Sequence, residues 1–416
     1  MISVFRNGVR LSACVAGLAL SASAFGETRS YLDVTAGVGA SSNPSLGFDS
    51  KSSAFGRLSG LGMHQWRSER TTTSLSAYAE NTSYLRGNGS TQIFDLRGNV
   101  VHAASPTLSI FGNVGFQGDV NGQLSNRFTS AMPDFVTPTP EQPDRPVQPD
   151  QVILDDNTFI GLGGRRYRLS GEAGFSLRTS ERGSVSLSAG AQRNFSSGNS
   201  NVANFNSFFA SGSWQLQFNE RTSGGLSTNV QYQDYDNGLS STVVNPLATI
   251  SHQFTDQIYG TAAVGILFTT QDQLLGGSDS SIDPSFSFKL CKASERERFC
   301  GRLSRDARNS LGAVTGSQAS SLMITTLASV DYSRQIDVNQ SLQASLTGAR
   351  STEKSAIGDD FRTTYLTFLV GYDRKVRQRV AVGATAGLRK VIQTGPDPKI
   401  DVNASAYVRY RLGDVK

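Results

Sequence analysis

Three histidines, His64, His102 and His252, are the first candidates for acid–base chemistry in this chain. Acyl transfer would require one of them beside a nucleophilic serine. Each histidine instead precedes a short polar turn by a few residues, and His102 and His252 share the phase of their apolar neighbours. No cluster with metal-ligand spacing accompanies them. The pattern favours a ring of polar residues at a membrane interface, and it predicts no enzyme, no metal and no cofactor.

Two cysteines, Cys291 and Cys300, flank the segment Lys-Ala-Ser-Glu-Arg-Glu-Arg-Phe. The alternation of residue types around them places both side chains on the same face of two neighbouring strands. Side chains in that relation approach closely enough for a disulfide, and an oxidising compartment would form it. We therefore predict a structural disulfide between Cys291 and Cys300.

Basic residues recur on the polar phase of the alternating segments. This candidate path contains Arg97, Arg166, Arg168, Arg302, Arg379, Arg389, Arg409, Arg411 and the aromatic residue Tyr407. Aspartates and glutamates share the same phase. Two interpretations stay open at this point: paired charges that stiffen a wall, or a net-positive passage that favours anionic solutes.

These residues belong to roughly eighteen segments of alternating apolar and polar residues between Tyr31 and Leu412. Short turns and longer polar loops join the segments alternately. That pattern is typical of an outer-membrane barrel, because a bilayer admits only helices or closed barrels. We predict an all-β, antiparallel, up-and-down transmembrane barrel with both termini in the periplasm. Eighteen strands are expected, or sixteen if a weak pair near 245–271 or 283–310 is misread.

The first 26 residues resemble a cleavable secretion signal. Arg6 and Arg10 precede an apolar run, and small residues follow it. The remainder, 27–416, is predicted to be a single barrel in the outer membrane of a Gram-negative cell, in contact with lipid and lipopolysaccharide. No segment approaches the ~18 apolar residues of a membrane helix. With 42 glycines and 18% charged residues, the composition suits strands that face a wet interior.

One predicted external loop, 120–158, is unusual because it holds six of the twelve prolines and several acids. Such a segment cannot join a strand ladder. It is either a flexible external loop or a lid over the passage, similar only in ordinal position to the constriction loop of general porins. The candidate gating residues are Pro133, Asp134, Pro138, Glu141, Asp144 and Asp150.

Residues 37–46, Gly-Val-Gly-Ala-Ser-Ser-Asn-Pro-Ser-Leu, resemble the opening hairpin of the β-barrel porin-2 group. The strand rhythm along the chain is similar to that group as well. Members often look like the barrels of exopolysaccharide secretion systems, such as the alginate-export barrel. The resemblance implies a polysaccharide as substrate and periplasmic polysaccharide-export proteins as partners.

The first hypothesis is therefore a passive channel that exports a cell-surface polysaccharide with a periplasmic or inner-membrane synthesis complex. The alternatives are a general or anion-preferring diffusion porin for small solutes, and a structural or adhesive barrel with a plugged lumen. Only a few residues separate the cleavage site from the first strand. A plug domain, as in an energised siderophore-type transporter, is thus not expected, and no nucleic-acid partner is predicted.

Overall fold

The computed structural model describes residues 27–44, 51–86, 89–120, 165–197, 204–236, 238–272, 277–310, 321–354, 361–393 and 400–414. They form β1 (Glu27–Ser41), β2 (Ser53–Arg67), β3 (Thr71–Tyr84), β4 (Ser90–Ala103), β5 (Leu108–Val120), β6 (Arg165–Arg178), β7 (Gly183–Ser197), β8 (Phe205–Asn219), β9 (Thr222–Tyr235), β10 (Ser240–Gln253), β11 (Ile258–Asp272), β12 (Ser278–Ala293), β13 (Glu297–Ser310), β14 (Ser321–Asp337), β15 (Gln340–Lys354), β16 (Phe361–Arg377), β17 (Val380–Gln393) and β18 (Asp401–Gly413). Within these ranges, no helix is long and apolar enough to cross a membrane.

Each strand pairs in antiparallel fashion with the strands before and after it, and β1 pairs with both β2 and β18. The sheet therefore closes on itself and leaves no free first or last edge. The predicted up-and-down barrel of eighteen strands is confirmed.

The two ends of the barrel differ in their connections. At one end, very short turns such as 220–221, 338–339 and 378–379 join successive strands. At the other end, β5 stops at Val120 and β6 begins only at Arg165. Short turns face the periplasm in outer-membrane barrels. We call these the periplasmic end and the outer end. The start of β1 and the end of β18 both lie at the periplasmic end.

Alternate side chains point to opposite faces of the wall, as strand geometry requires. Leu58, Val264 and Leu346 lie on the outside, each 52% exposed. Arg57 and Ser59, the chain neighbours of Leu58, point inward and are buried. An apolar outer surface around a polar interior is the arrangement that lipid requires of a barrel. The chain is thus an outer-membrane β-barrel.

Candidate functional site: the inner wall of the barrel

The inner wall divides into regions of different chemistry. One region, from β16 through β18 and on from β1 to β6, carries acidic and basic side chains, and we call it the charged arc. The opposite region, β7 to β11, is called the uncharged arc. Between them, β12 to β14 again carry charges, including Lys289 and Asp331.

The seam between the last and first strands is bridged by an ion pair on the charged arc, and a second ion pair lies beside it. Arg411 donates to Asp33 from Nη2 at 2.6 Å and from Nε at 2.7 Å, and these residues are direct neighbours across β18 and β1. Arg409 Nη2 lies 3.2 Å from Asp373 Oδ1. The Tyr407 hydroxyl donates to Asp373 Oδ2 at 3.0 Å. Because Tyr407 is only 7% exposed, it packs into the wall instead of offering an open ring face.

Asp401 is the most highly connected acid near the outer end of the seam, and it is fully buried. Arg389 donates to its Oδ2 at 2.6 Å, while the Ser41 hydroxyl donates to Oδ1 at 2.6 Å. The backbone N–H of Asn43 also donates to Oδ1, at 2.9 Å. One carboxylate thereby joins β17 and β18 to the end of β1. A buried charge of this kind is tolerated because its hydrogen bonds are satisfied.

Two further predicted arginines of the charged arc, Arg97 and Arg168, have polar partners. Arg97 donates to Asp95 at 2.7 Å and is 46% exposed toward the interior. Arg168 donates to Asn194 Oδ1 at 3.0 Å. Arg166 occupies an inward position of β6, and its side chain lies outside the described part. Since Arg97, like the seam arginines, is matched by an aspartate, these pairs add no net charge to the passage.

Cys291 and Cys300 are joined by a disulfide bond and face each other across β12 and β13. Both are buried on the inner face near the periplasmic end. Arg302 lies one inward position above Cys300, directly opposite Lys289. Together these residues form a covalently fixed basic patch between the two arcs.

Arg379 requires a correction. The sequence predicts it on an inward-facing strand position, but it lies in the turn 378–379 at the periplasmic end and is exposed. Its carbonyl accepts a hydrogen bond of 2.8 Å from the backbone N–H of Arg411. Arg379 therefore stands at the periplasmic mouth of the barrel, one residue before β17 begins, and not at a strand position.

The predicted gating residues Pro133, Asp134, Pro138, Glu141, Asp144 and Asp150 lie outside the described residues.

The uncharged arc was not singled out by sequence reasoning. Over β7 to β11, none of the described inward positions carries a charged side chain. Its hydroxyl and amide groups include Ser186, Ser188, Ser207, Ser211, Ser213, Asn229, Gln231 and Thr269. Many bond to each other across strands. The Ser188 and Ser211 hydroxyls are 2.6 Å apart, and those of Ser186 and Ser213 are 2.7 Å apart. Counting charges per strand would have revealed this region.

A row of apolar side chains lies on the inner face near the outer end of β14 to β17. Leu327, Ala349, Tyr365 and Val391 are neighbours across these four strands and are almost fully buried. The alternation did not predict apolar residues on the inner face. In the sequence, this row could have been recognised from Tyr365 and from aliphatic residues at the inward positions of neighbouring strands.

The three histidines lie on the outer surface near the periplasmic end, each beside a hydroxyl of the preceding strand. The separation from Nδ1 to that hydroxyl is 2.7 Å for His64 with Ser30 and 2.9 Å for His102 with Thr71. His252 stands 2.9 Å from Thr222 in the same way. Within the described ranges, no three His, Cys, Asp or Glu residues are grouped so that they could hold a metal ion.

No family model and no curated protein matches the chain. Solved structures that it resembles include Pseudomonas aeruginosa OccK2 (OpdF), at 11% identity and a TM-score of 0.48, over 94% of this chain and 99% of that one. The copper transporter OprC aligns at 12% identity and 0.45, over 94% and 82%. The siderophore receptor PirA from Acinetobacter baumannii aligns at 10% and 0.46, over 94% and 81%. Overlaps this loose carry no information on what passes through the barrel.

Proposed function

We propose that this barrel is a passive outer-membrane channel through which an exopolysaccharide leaves the cell. The observation that carries the proposal is the uncharged arc. Serine, threonine, asparagine and glutamine side chains can both donate and accept, as sugar hydroxyls do. Each such hydrogen bond contributes only about 1 kcal/mol net, because water competes for the same groups. A polymer would exchange these contacts easily and slide along the arc.

The charged arc has a supporting role in this proposal. Ion pairs such as Arg411–Asp33 fix the wall and contribute little net field, so a neutral or weakly acidic polymer meets no strong electrostatic barrier. The proposed partners are periplasmic polysaccharide-export proteins at the short turns and lipopolysaccharide at the outer end.

Deletion of the gene tests this proposal in the cell. We expect loss of surface polysaccharide without a change in antibiotic permeability, and complementation should restore the polymer. Normal polysaccharide combined with reduced uptake of small drugs would overturn it.

The second candidate is a diffusion porin for small solutes. Arg97 favours it, because a guanidinium that is 46% exposed on the inner wall can contact a passing anion. The same deletion separates the two functions: a porin mutant loses permeability to small solutes and keeps its surface polymer.

A further inference from the structure

Two phenylalanine rings lie across the inner wall, each over a glycine of the neighbouring strand. Phe111 of β5 is paired with Gly174 of β6, and Phe209 of β8 is paired with Gly190 of β7. A Cβ atom at either glycine would collide with Cζ of the facing ring. Each ring therefore covers the place that a side chain would otherwise take. Both rings are partly exposed, so each turns a face to the interior.

The two rings approach each other over β6 and β7. Gly174 is paired with Ser188 of β7, which lies one inward position below Gly190. Diagonal neighbours of this kind in an antiparallel pair are roughly 7–8 Å apart. The ring over β6 and the ring over β7 therefore lie side by side at slightly different heights. We call Phe111 and Phe209 together the aromatic platform.

Other aromatic rings of the inner wall cover glycines in the same way but are buried. Phe55 covers Gly39 and is only 4% exposed, and Tyr407 covers Gly383. An aromatic ring over a glycine of the next strand stabilises a sheet, and burial of the ring is part of that effect. Packing of the wall thus accounts for the buried rings. It does not require the open faces of the aromatic platform, which stand in a wet and otherwise polar passage.

Polar groups that can bind hydroxyls lie beside both rings. Glu172 of β6 is paired with Gly190 and points inward next to the platform. Its carboxylate accepts a hydrogen bond of 3.4 Å from Asn113 Nδ2. Beside the other ring, the Ser188 hydroxyl is 2.6 Å from the hydroxyl of Ser211. Flat apolar faces and hydrogen-bonding groups are thus combined within a few residues, as ligand sites require.

We propose that the aromatic platform and Glu172 form a subsite for neutral sugar units of the exported polymer. A pyranose ring has faces made of C–H groups and an edge made of hydroxyls. The C–H groups stack on an aromatic face, which carries partial negative charge, while the hydroxyls donate to the carboxylate. A uronate would be repelled by the charge of Glu172. The identification of the sugar with an exported polymer rests on the proposed function.

Saturation-transfer NMR on the native barrel in detergent tests the stacking. The probe is cellohexaose, a neutral oligosaccharide in which the C–H bonds of each ring are axial. Irradiation of the aromatic protons of the protein should transfer saturation to the ring protons of the sugar more than to its exocyclic methylene protons. No transfer, or equal transfer to both kinds of proton, would overturn the proposal.

A double variant tests whether the two rings carry the binding. Phe111→Leu with Phe209→Leu removes both aromatic faces and keeps an apolar side chain beside each glycine. We expect cellohexaose to bind about tenfold more weakly. Phe55→Leu is the matched control, because that ring also covers a glycine but is buried, and the affinity should stay unchanged. Heat-modifiable mobility in gels shows that each variant is folded. Equal losses of affinity in the variant and the control would overturn the proposal.

Glu172→Gln tests the class of sugar and leaves the rings in place. Loss of the carboxylate should weaken the binding of cellohexaose several-fold and strengthen the binding of an oligogalacturonate of equal length, because the repulsive charge is gone. A native barrel that prefers the oligogalacturonate would contradict the assignment to neutral sugars. So would a variant that binds both oligosaccharides as the native barrel does.

Sugar binding by the purified barrel and polymer export in the cell can fail separately. Binding at the platform in a barrel whose gene deletion spares the surface polymer would overturn only the proposed export. Loss of the polymer in the deletion strain, together with no binding at the platform, would overturn only the subsite.

Discussion

Arg411 of the last strand lies directly opposite Asp33 of the first, and two hydrogen bonds of 2.6 and 2.7 Å connect them across the line where the barrel closes. Beside it, Arg389 of β17 pairs with Asp401 of β18, and Arg409 of β18 pairs with Asp373 of β16. Ion pairs are thus concentrated on the last three strands and on the line where β18 meets β1. We infer that Arg411 serves mainly to hold the barrel closed, while Arg389 and Arg409 fix the strands beside the closure.

Loss of the Asp33 charge should weaken the seam. In Asp33→Asn, the guanidinium of Arg411 loses its charged partner in a poorly hydrated site, which we expect to cost about 2 kcal/mol. The free energy of unfolding is measured by urea titration of the barrel in detergent, with the heat-modifiable mobility of the barrel in gels as the readout. Asp236→Asn is the control. The ion pair of Asp236 with Arg193 at the rim of the barrel is about half exposed, so the free energy of unfolding should change by no more than about 1 kcal/mol. Equal effects in both variants would contradict the proposed role of the seam.

Asp401→Asn should destabilise the barrel more strongly. The substitution keeps the shape of the side chain but leaves the buried guanidinium of Arg389 without a counter-charge, at a cost of about 3–5 kcal/mol. The same unfolding assay applies. Ser41→Ala, which removes one neutral donor to Asp401, is the comparison and should cost about 1 kcal/mol. The account of a charge hub is wrong if the two variants unfold alike.

Substitution of either member of the Arg97–Asp95 pair on β4 should shift the ion selectivity of the channel, and the two shifts should be opposite. Arg97→Gln leaves Asp95 uncompensated on the inner wall and should shift selectivity toward cations, while Asp95→Asn should shift it toward anions. Reversal potentials across planar bilayers in a salt gradient measure this. Both shifts should shrink at high salt, because the Debye length falls from ~10 Å at 0.1 M to ~3 Å at 1 M. Shifts of the same sign would show that this pair does not face the conducting path.

Removal of the disulfide should lower stability without affecting closure. A loop of this size predicts a loss of about 2–3 kcal/mol in the double variant Cys291→Ser, Cys300→Ser. Both sulfurs are buried, so thiol labelling of the native protein should require reductant and unfolding together. Reductant should lower the melting temperature of the native protein and have no effect on the double variant.

The sequence was sufficient to predict the fold because period-two alternation identifies the buried face of each strand without knowledge of its partner. The doubtful strands, near 245–271 and 283–310, include Pro246 and Pro284. The structure keeps these strands but interrupts their ladders at the prolines. The alternation could not show this, because it encodes the direction of a side chain and not the pairing of the backbone.

The partners within the site were harder to predict. Arg411 and Asp33 lie 378 positions apart in sequence, and only the register of closure brings them together. Arg379 was predicted at the first position of a strand, but β17 begins one residue later, at Val380. The uncharged arc was overlooked because it is defined by the lack of charged side chains at the described inward positions of β7 to β11, which is a property of the assembled wall.

Single-channel recording with added oligosaccharides tests most directly whether the uncharged arc is a path for sugar. We would add linear neutral oligosaccharides at the periplasmic side and compare polyethylene glycols of equal size. The account predicts current blockades that last longer with each added sugar and shorten in Ser188→Val, Ser211→Val. The control is the double variant Thr385→Val, Ser405→Val. It removes a similar hydroxyl pair (2.7 Å) from the charged arc and should leave the duration of the blockades unchanged. Blockades that match those of polyethylene glycol, or that respond equally to both double variants, would contradict it.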